Sequence, residues 1–287
     1  MKVTIDGIEI AAARRDPPEP TGQPLIATLH GGLYTGRYFD VPIPPTGSFV
    51  DLATRLGHPT VCFDRPGYGA SGALAPEENT FERHAELLGA AITEVADGAP
   101  VILVGHSIGG MIALTIAAMS DGPALLGVSV TGMGAVIPSG GLSEQLATAA
   151  AGSGQPVIAL PPEQCDPVMF GPPGTFDPGV LDAAHETYAP APAVELIAAS
   201  RWSADKLPGL APEVTVPIHN VLAEHDSLWD TSGESIERFV ALFTAAPSVD
   251  ASVMRDVGHS IDHHKAAPAL HLRQLAFAHE CTLRARP

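Results

Sequence analysis

Gly105-His-Ser-Ile-Gly109 places a serine between two glycines, at the end of the apolar run Val101 to Val104 and just before a second apolar stretch, Ile108 to Met119. A strand that stops and reverses at once into a helix forces its turn residue into strained backbone angles. That lifts the Ser107 hydroxyl out of the sheet and puts the Ile108 amide at a helix N-terminus. Glycine at 105 and 109 admits the close strand-to-helix approach that such a nucleophile elbow requires, and Gly110 extends the small surface. A serine hydroxyl is a weak nucleophile at neutral pH, so it needs a base within hydrogen-bond reach and a third group that fixes the base's tautomer. Asp226 follows the apolar run Val214 to Leu222, and His259 follows Val249 to Met254. Nucleophile, acid and base thus occur in that order, each behind a predicted strand, and a parallel sheet brings them to one edge. His259 would take the Ser107 proton and return it to the leaving group, with Asp226 ionised beside the imidazolium.

Acyl chemistry at Ser107 also needs donors for the developing oxyanion. Leu25 to Leu29 reads as a buried strand ending in His30-Gly-Gly32, so the amides of Gly32 and Ile108 are the expected pair, with Leu33 in reserve should the loop be shifted by one residue. Glu224 and Asp230 compete with Asp226 as the acid; the shorter reach past the strand end favours Asp226 over Glu224. His259, His263 and His264 include a His-x3-His helical spacing, but no acidic or cysteine partner completes a ligand set, so no metal is expected. His30 is expected to support its loop, His106 to face away from substrate, and His225 to be solvated. Asp64 and Arg65, beside the turn Pro66-Gly-Tyr-Gly69, are expected to satisfy backbone groups rather than touch substrate.

The elements that must position these groups alternate along the chain. Val3 to Ala13 reads as a hairpin turning at Asp6-Gly7. Helical spacing over Ser48 to Leu56 and Thr80 to Ala96 brackets a strand at Thr60 to Asp64. The elbow strand, its helix and a strand at Ala124 to Val130 follow. This rhythm predicts an α/β fold, a mostly parallel sheet with helices on both faces. It breaks at Gly132. From there to Pro212 the chain is dense in proline and glycine, with helical patches at Leu142 to Ala151, Val180 to Tyr188 and Ala193 to Leu207. Residues 132–212 are therefore read as a cap inserted into a core made of 1–131 and 213–287. Met133, Met169, Phe170, Phe176, Tyr188 and Trp202 are its apolar pocket candidates, and most of them are expected to pack the cap against the body. Trp229, on the loop after Asp226, joins Leu33, Met133 and Trp202 as an expected substrate contact. Helix Ser232 to Phe243 and helix Ala266 to Cys281 complete the core.

Composition sets outer bounds. With 15 Lys and Arg against 32 Asp and Glu, the net charge is −17, which argues against nucleic-acid or anionic-membrane partners. Cys62, Cys165 and Cys281 lie far apart and form no disulfide framework or zinc spacing. No apolar signal core opens the sequence and no apolar stretch is long enough to span a bilayer, so the expected setting is cytoplasmic and the expected partner a small molecule, with no cofactor and the oligomeric state left open.

With these residues assembled, the chain resembles the α/β-hydrolase family over nearly its whole length. The matching pieces are His30-Gly-Gly32, Asp64-Arg-Pro-Gly-Tyr-Gly-x-Ser71, Gly105-His-Ser-Ile-Gly-Gly110, Ala223-x-x-Asp226 and Gly258-His259. The resemblance implies an eight-stranded, mostly parallel sheet, a lid after the sixth strand, and esterase-like chemistry through an acyl-enzyme on Ser107. Ala223 departs from the glycine that many members carry before the acid. A serine at the elbow disfavours the dehalogenase and epoxide-hydrolase branches. The expected reaction is hydrolysis of a carboxylic ester, thioester or lactone of a small, largely apolar substrate. The alternatives are acyl transfer, cyclisation or carbon–carbon hydrolysis by the same triad in secondary metabolism, and a small-molecule receptor with an idle triad.

Overall fold

The computed structural model describes residues 1–285. Strands β1 (Lys2–Ile5) and β2 (Ile8–Arg15) form the expected hairpin; Asp6 and Gly7 both take positive φ, the primed turn that matches strand twist. β3 (Leu25–Leu29), α1 (Phe49–Arg55), β4 (Thr60–Phe63), α2 (Phe81–Ala96), β5 (Val101–His106), α3 (Ile108–Ala117) and β6 (Leu125–Thr131) then alternate as read from the sequence. Helix starts are specified locally: Ser48 and Asp51 form a reciprocal capping box on α1, and Thr80 caps α2.

Between β6 and the next sheet strand the chain makes a long excursion. It contains α4 (Leu142–Ser153), β7 (Val157–Ile158), α5 (Pro162–Met169), α6 (Pro178–His185), β8 (Ala191–Pro192), α7 (Ala193–Asp205) and α8 (Leu207–Leu210), with β7 and β8 paired to each other. The sequence reading overlooked α5. Proline at its first position suits a helix start, but Pro167 inside it masks the pattern. The core resumes with β9 (Ile218–His225), α9 (Gly233–Leu242), β10 (Val249–Gly258) and α10 (Ala267–Ala285). β9 begins four residues later than the apolar run suggested, because Pro217 cannot donate to a ladder. β10 runs on to Gly258 through an irregularity after Met254, where Asp256 has φ 56°. That extension carries the chain to His259.

These strands form one eight-stranded sheet in the order β1-β2-β4-β3-β5-β6-β9-β10. Pairings β1/β2 and β2/β4 are antiparallel and the rest parallel. Alternate side chains of β5 face opposite layers: Val101 and Leu103 pack with α2, α3 and α9, whereas Ile102 and Val104 pack with α1 and α10. Every residue of β5 is buried, as expected for a strand covered on both faces. The mostly parallel α/β sheet with helices on both sides is thus as the strand–helix alternation predicts, and its eight strands are as the family resemblance implied. Among the described residues no helix is long and apolar enough to cross a membrane.

Candidate active site

Ser107 sits between β5 and α3 with φ 53° and ψ −121°, a conformation that a residue with a Cβ adopts only when its surroundings enforce it. Hydrogen bonds enforce it here. Ser107 N–H donates to Thr131 O at 2.8 Å, while Gly110 and Met111 N–H donate to Ser107 O at 2.8 and 3.1 Å. A methyl group added at Gly105 would lie 2.5 Å from Gly109 O, and one at Gly109 would collide with the backbone of Leu29 and His30. Both elbow glycines are therefore required by backbone proximity.

The parallel sheet brings the three predicted groups together. Ser107 Oγ lies 3.0 Å from His259 Nε2, and His259 Nδ1 lies 2.8 Å from Asp226 Oδ2. With Nδ1–H donating to the carboxylate, Nε2 is left to accept the serine proton. Asp226 Oδ1 also accepts from Leu228 N–H at 3.0 Å, and the side chains of His259 and Asp226 are 1% and 0% exposed. Two donors thus satisfy a carboxylate that is closed to water. Glu224 is elsewhere: it is exposed and accepts from Asp256 N–H at 2.9 Å. Asp230 binds Ser232 N–H and Oγ–H at the start of α9.

Ser107, His259, Gly32 and Ile108 face one cavity of about 70 Å³. Neither Gly32 N–H nor Ile108 N–H has an acceptor among the described residues, so both are open to an oxygen bound there. Leu33 and Trp229, both candidate substrate contacts, line the cavity. Met133 and Trp202 do not, and this corrects the sequence reading. Met133 fills space against Gly110 and accepts from Asn220 through its carbonyl, and Trp202 is buried in the core cluster. The wall comes instead from other apolar residues that carried no signal of their own, among them Met111, Leu146, Leu160, Val168 and Leu196. Leu146, Val168 and Leu196 lie on α4, α5 and α7 of the excursion, Leu160 on the loop before α5, and Met111 on α3 of the core. Met169 also lines the cavity, while Phe170, Phe176 and Tyr188 pack the excursion against the body.

Residues 26–270 match the profile of the alpha/beta hydrolase family. The chain belongs to that family. No curated protein matches it in sequence. Among solved structures, this hydrolase-family chain is similar to a thermophilic esterase from Thermogutta terrifontis, with TM-score 0.73, 18% identity and 98% of each chain covered. It is also similar to an enol-lactonase from Burkholderia xenovorans, with TM-score 0.71, 18% identity, and 96% of this chain and 99% of that one covered. A monoacylglycerol lipase from Paleococcus ferrophilus gives TM-score 0.70, 17% identity, and coverage of 95% and 99%. At these identities the likeness concerns the fold.

Among the described residues no other histidine lines the cavity, and several pack close behind the site. His106 is buried, stacks on Tyr38 at 4.5 Å and contacts Thr131 Oγ1, facing away from substrate space as read from the sequence. His225 is exposed, also as expected. His264 Nε2 accepts amide hydrogens from both Gly171 and Gly258 at 3.0 Å, so its lone pair ties the excursion to the strand end beside His259. His263 Nε2–H donates to Tyr38 O. Burial pushes both down to about 4, and holds His30, His84 and His106 well below the ordinary value. From pH 6.5 down to about 4 the unfolded chain binds protons at His263 and His264 that the folded chain does not, and His30, His84 and His106 act in the same direction. Stability is therefore complete above 6.5 and declines as pH falls through that window, by up to about 1.4 kcal/mol per pH unit for each such histidine. Urea titrations at pH 7.5 and 5.0 are expected to show a markedly lower midpoint at 5.0; equal midpoints would contradict burial of these rings in neutral form.

Proposed function

We propose that this protein is a serine hydrolase that cleaves a carboxylic ester, thioester or lactone of a small, largely apolar substrate. One observation carries the reading: an unbroken hydrogen-bonded chain from Asp226 through His259 to Ser107 Oγ, ending at the floor of an apolar cavity. Ser107 Oγ attacks the acyl carbon as His259 Nε2 takes its proton, and Gly32 and Ile108 N–H hold the oxyanion. His259 returns the proton to the departing alcohol or thiol, leaving an acyl-Ser107. Water, deprotonated by His259, then releases the acid and restores the serine.

Residues 132–212 act as the cap. Their helices supply one wall of the cavity, and apart from Ser143, Ser107 and His259 its lining side chains are uncharged and apolar or sulfur-bearing. Such a lining favours an acyl group without charge, because a desolvated charge would meet no partner there. The structural likeness to an esterase, a lipase and a lactonase is in keeping with ester chemistry.

Intact-mass analysis after exposure to a fluorophosphonate tests the reading, followed by p-nitrophenyl esters of increasing chain length. One label per wild-type chain, none on Ser107→Ala, and turnover that peaks at short or medium chains is the expected result. Labelling without turnover of any ester would displace hydrolysis in favour of acyl transfer or carbon–carbon cleavage. Absence of labelling would leave the triad idle and favour a receptor.

A further inference from the structure

Arg65 is fully buried, lies outside the cavity, and is turned toward the loop that bears Gly32. Its Nε–H donates to His30 O at 2.9 Å and an Nη2–H to Gly31 O at 3.3 Å. The backbone N–H of Arg65 donates to His30 Nε2 at 3.0 Å, which leaves His30 Nδ1 carrying the proton that it donates to Gly31 O at 2.8 Å. Gly31 O is therefore held by two donors. That carbonyl belongs to the same planar trans peptide as Gly32 N–H, in which C=O and N–H point in opposite directions. Pinning the carbonyl toward Arg65 turns the amide hydrogen toward the cavity, where Gly32 meets Ser107 and Ile108.

The other end of Arg65 leads to the excursion. Its Nη1–H donates to Glu195 Oε2 at 2.7 Å, with both side chains 0% exposed. Tyr68 O–H donates to the same oxygen at 3.1 Å, and the guanidinium lies 4.5 Å from the Tyr68 ring centre. Glu195 is on α7, and the next residue, Leu196, lines the cavity and would sit 3.6 Å from a methyl group on Gly32. A buried ion pair adds little net stability compared with apolar packing, so packing alone gives no reason for one here. It does supply a rigid fork, which lysine lacks.

We infer that Arg65 and Glu195 are positioning residues for the oxyanion hole: Glu195 on the cap orients Arg65, which with His30 fixes the Gly31–Gly32 peptide so that its N–H faces the reacting oxygen. The inference rests on the serine-hydrolase reading, and it makes the hole competent only while α7 is docked. Arg65→Lys keeps the charge opposite Glu195 and loses the fork.

The test measures kcat and KM of wild type and Arg65→Lys on one p-nitrophenyl ester, normalised to the sites that fluorophosphonate labels at saturation. It adds the affinity for a phenylboronic acid, whose tetrahedral Ser107 adduct places an oxygen in the hole. The expected result is a loss of about 10²-fold in kcat per labelled site, a similar loss in boronate affinity, and a KM within about threefold of wild type. Should Arg65→Lys not fold, the double variant Arg65→Met/Glu195→Leu, which replaces both charges by apolar groups, carries the same measurements. A wild-type kcat per labelled site, with all loss confined to the labelled fraction, would show support of folding alone and overturn the inference. A wild type that takes no label would overturn the hydrolase reading itself, and the inference with it.

Discussion

Ser107→Gly is expected to abolish turnover and at the same time raise the melting temperature, whereas Ser107→Ala abolishes turnover without that gain. The first effect follows from the role of the hydroxyl. Removing the nucleophile of a working triad lowers kcat by about 10⁶-fold, because the remaining members have nothing to activate. The second follows from the backbone. At φ 53° and ψ −121° a residue bearing a Cβ is strained by about 1–3 kcal/mol. Alanine keeps that strain. Glycine relieves it, at the expense of extra freedom in the unfolded chain worth about 0.4–1 kcal/mol. The net gain of about 1 kcal/mol corresponds to roughly 2 °C for a chain of this size. Calorimetry and ester hydrolysis on the two variants check both halves. Activity surviving in either variant would remove Ser107 from the chemistry. A glycine variant no more stable than the alanine one would mean that the elbow stores no strain.

The elbow was legible in sequence because its requirements are local. A serine between glycines, behind a buried strand and ahead of an apolar helix, admits few other structures, and Gly105 and Gly109 are needed where the backbones nearly touch. Asp226 and His259 were legible for a related reason: each follows an apolar run, and parallel strands end at a common edge. The cavity wall was not. Leu146, Leu160, Val168 and Leu196 are ordinary aliphatic residues, and only the docking of α4, α7 and the 160–168 segment decides that they line the cavity while Met133 and Trp202 turn into the core. Glu195 was invisible for the same reason. Nothing in an isolated Ala-Val-Glu-Leu segment shows that its carboxylate meets an arginine 130 positions earlier. Asp64 and Arg65 were both read as satisfying backbone groups beside their turn: Asp64 accepts from Gly36 and Ala70 N–H, whereas the carbonyls that Arg65 satisfies, His30 O and Gly31 O, belong to another loop that the turn's sequence does not name. His30 carried more than the loop-supporting role expected of it, since its tautomer is fixed by a contact remote in sequence.

The second large effect separates two carboxylates two residues apart. Asp226→Asn is expected to lower kcat by about 10⁴-fold, and Glu224→Gln to leave it within about twofold. The aspartate's value lies in accepting the Nδ1–H of His259 at 2.8 Å, which keeps Nε2 unprotonated toward Ser107. An asparagine amide can instead donate to Nδ1. That stabilises the other tautomer, directs an N–H at the nucleophile and removes the negative charge that balances the imidazolium. Loss of a buried charge does not by itself collapse the fold, since Leu228 N–H can still be accepted by the amide oxygen. The defect should therefore appear in kcat per fluorophosphonate-labelled site rather than in stability. Glu224 has no such leverage: it is exposed, it accepts from Asp256 N–H, and glutamine retains an oxygen to accept that bond. A larger loss at Glu224 than at Asp226 would transfer the acid's role to the wrong side of the strand end, where no contact with His259 exists to explain it. Comparable losses at both would instead point to the β9 loop as a whole, with the defect then expected in the fraction of folded sites and not in the rate at each.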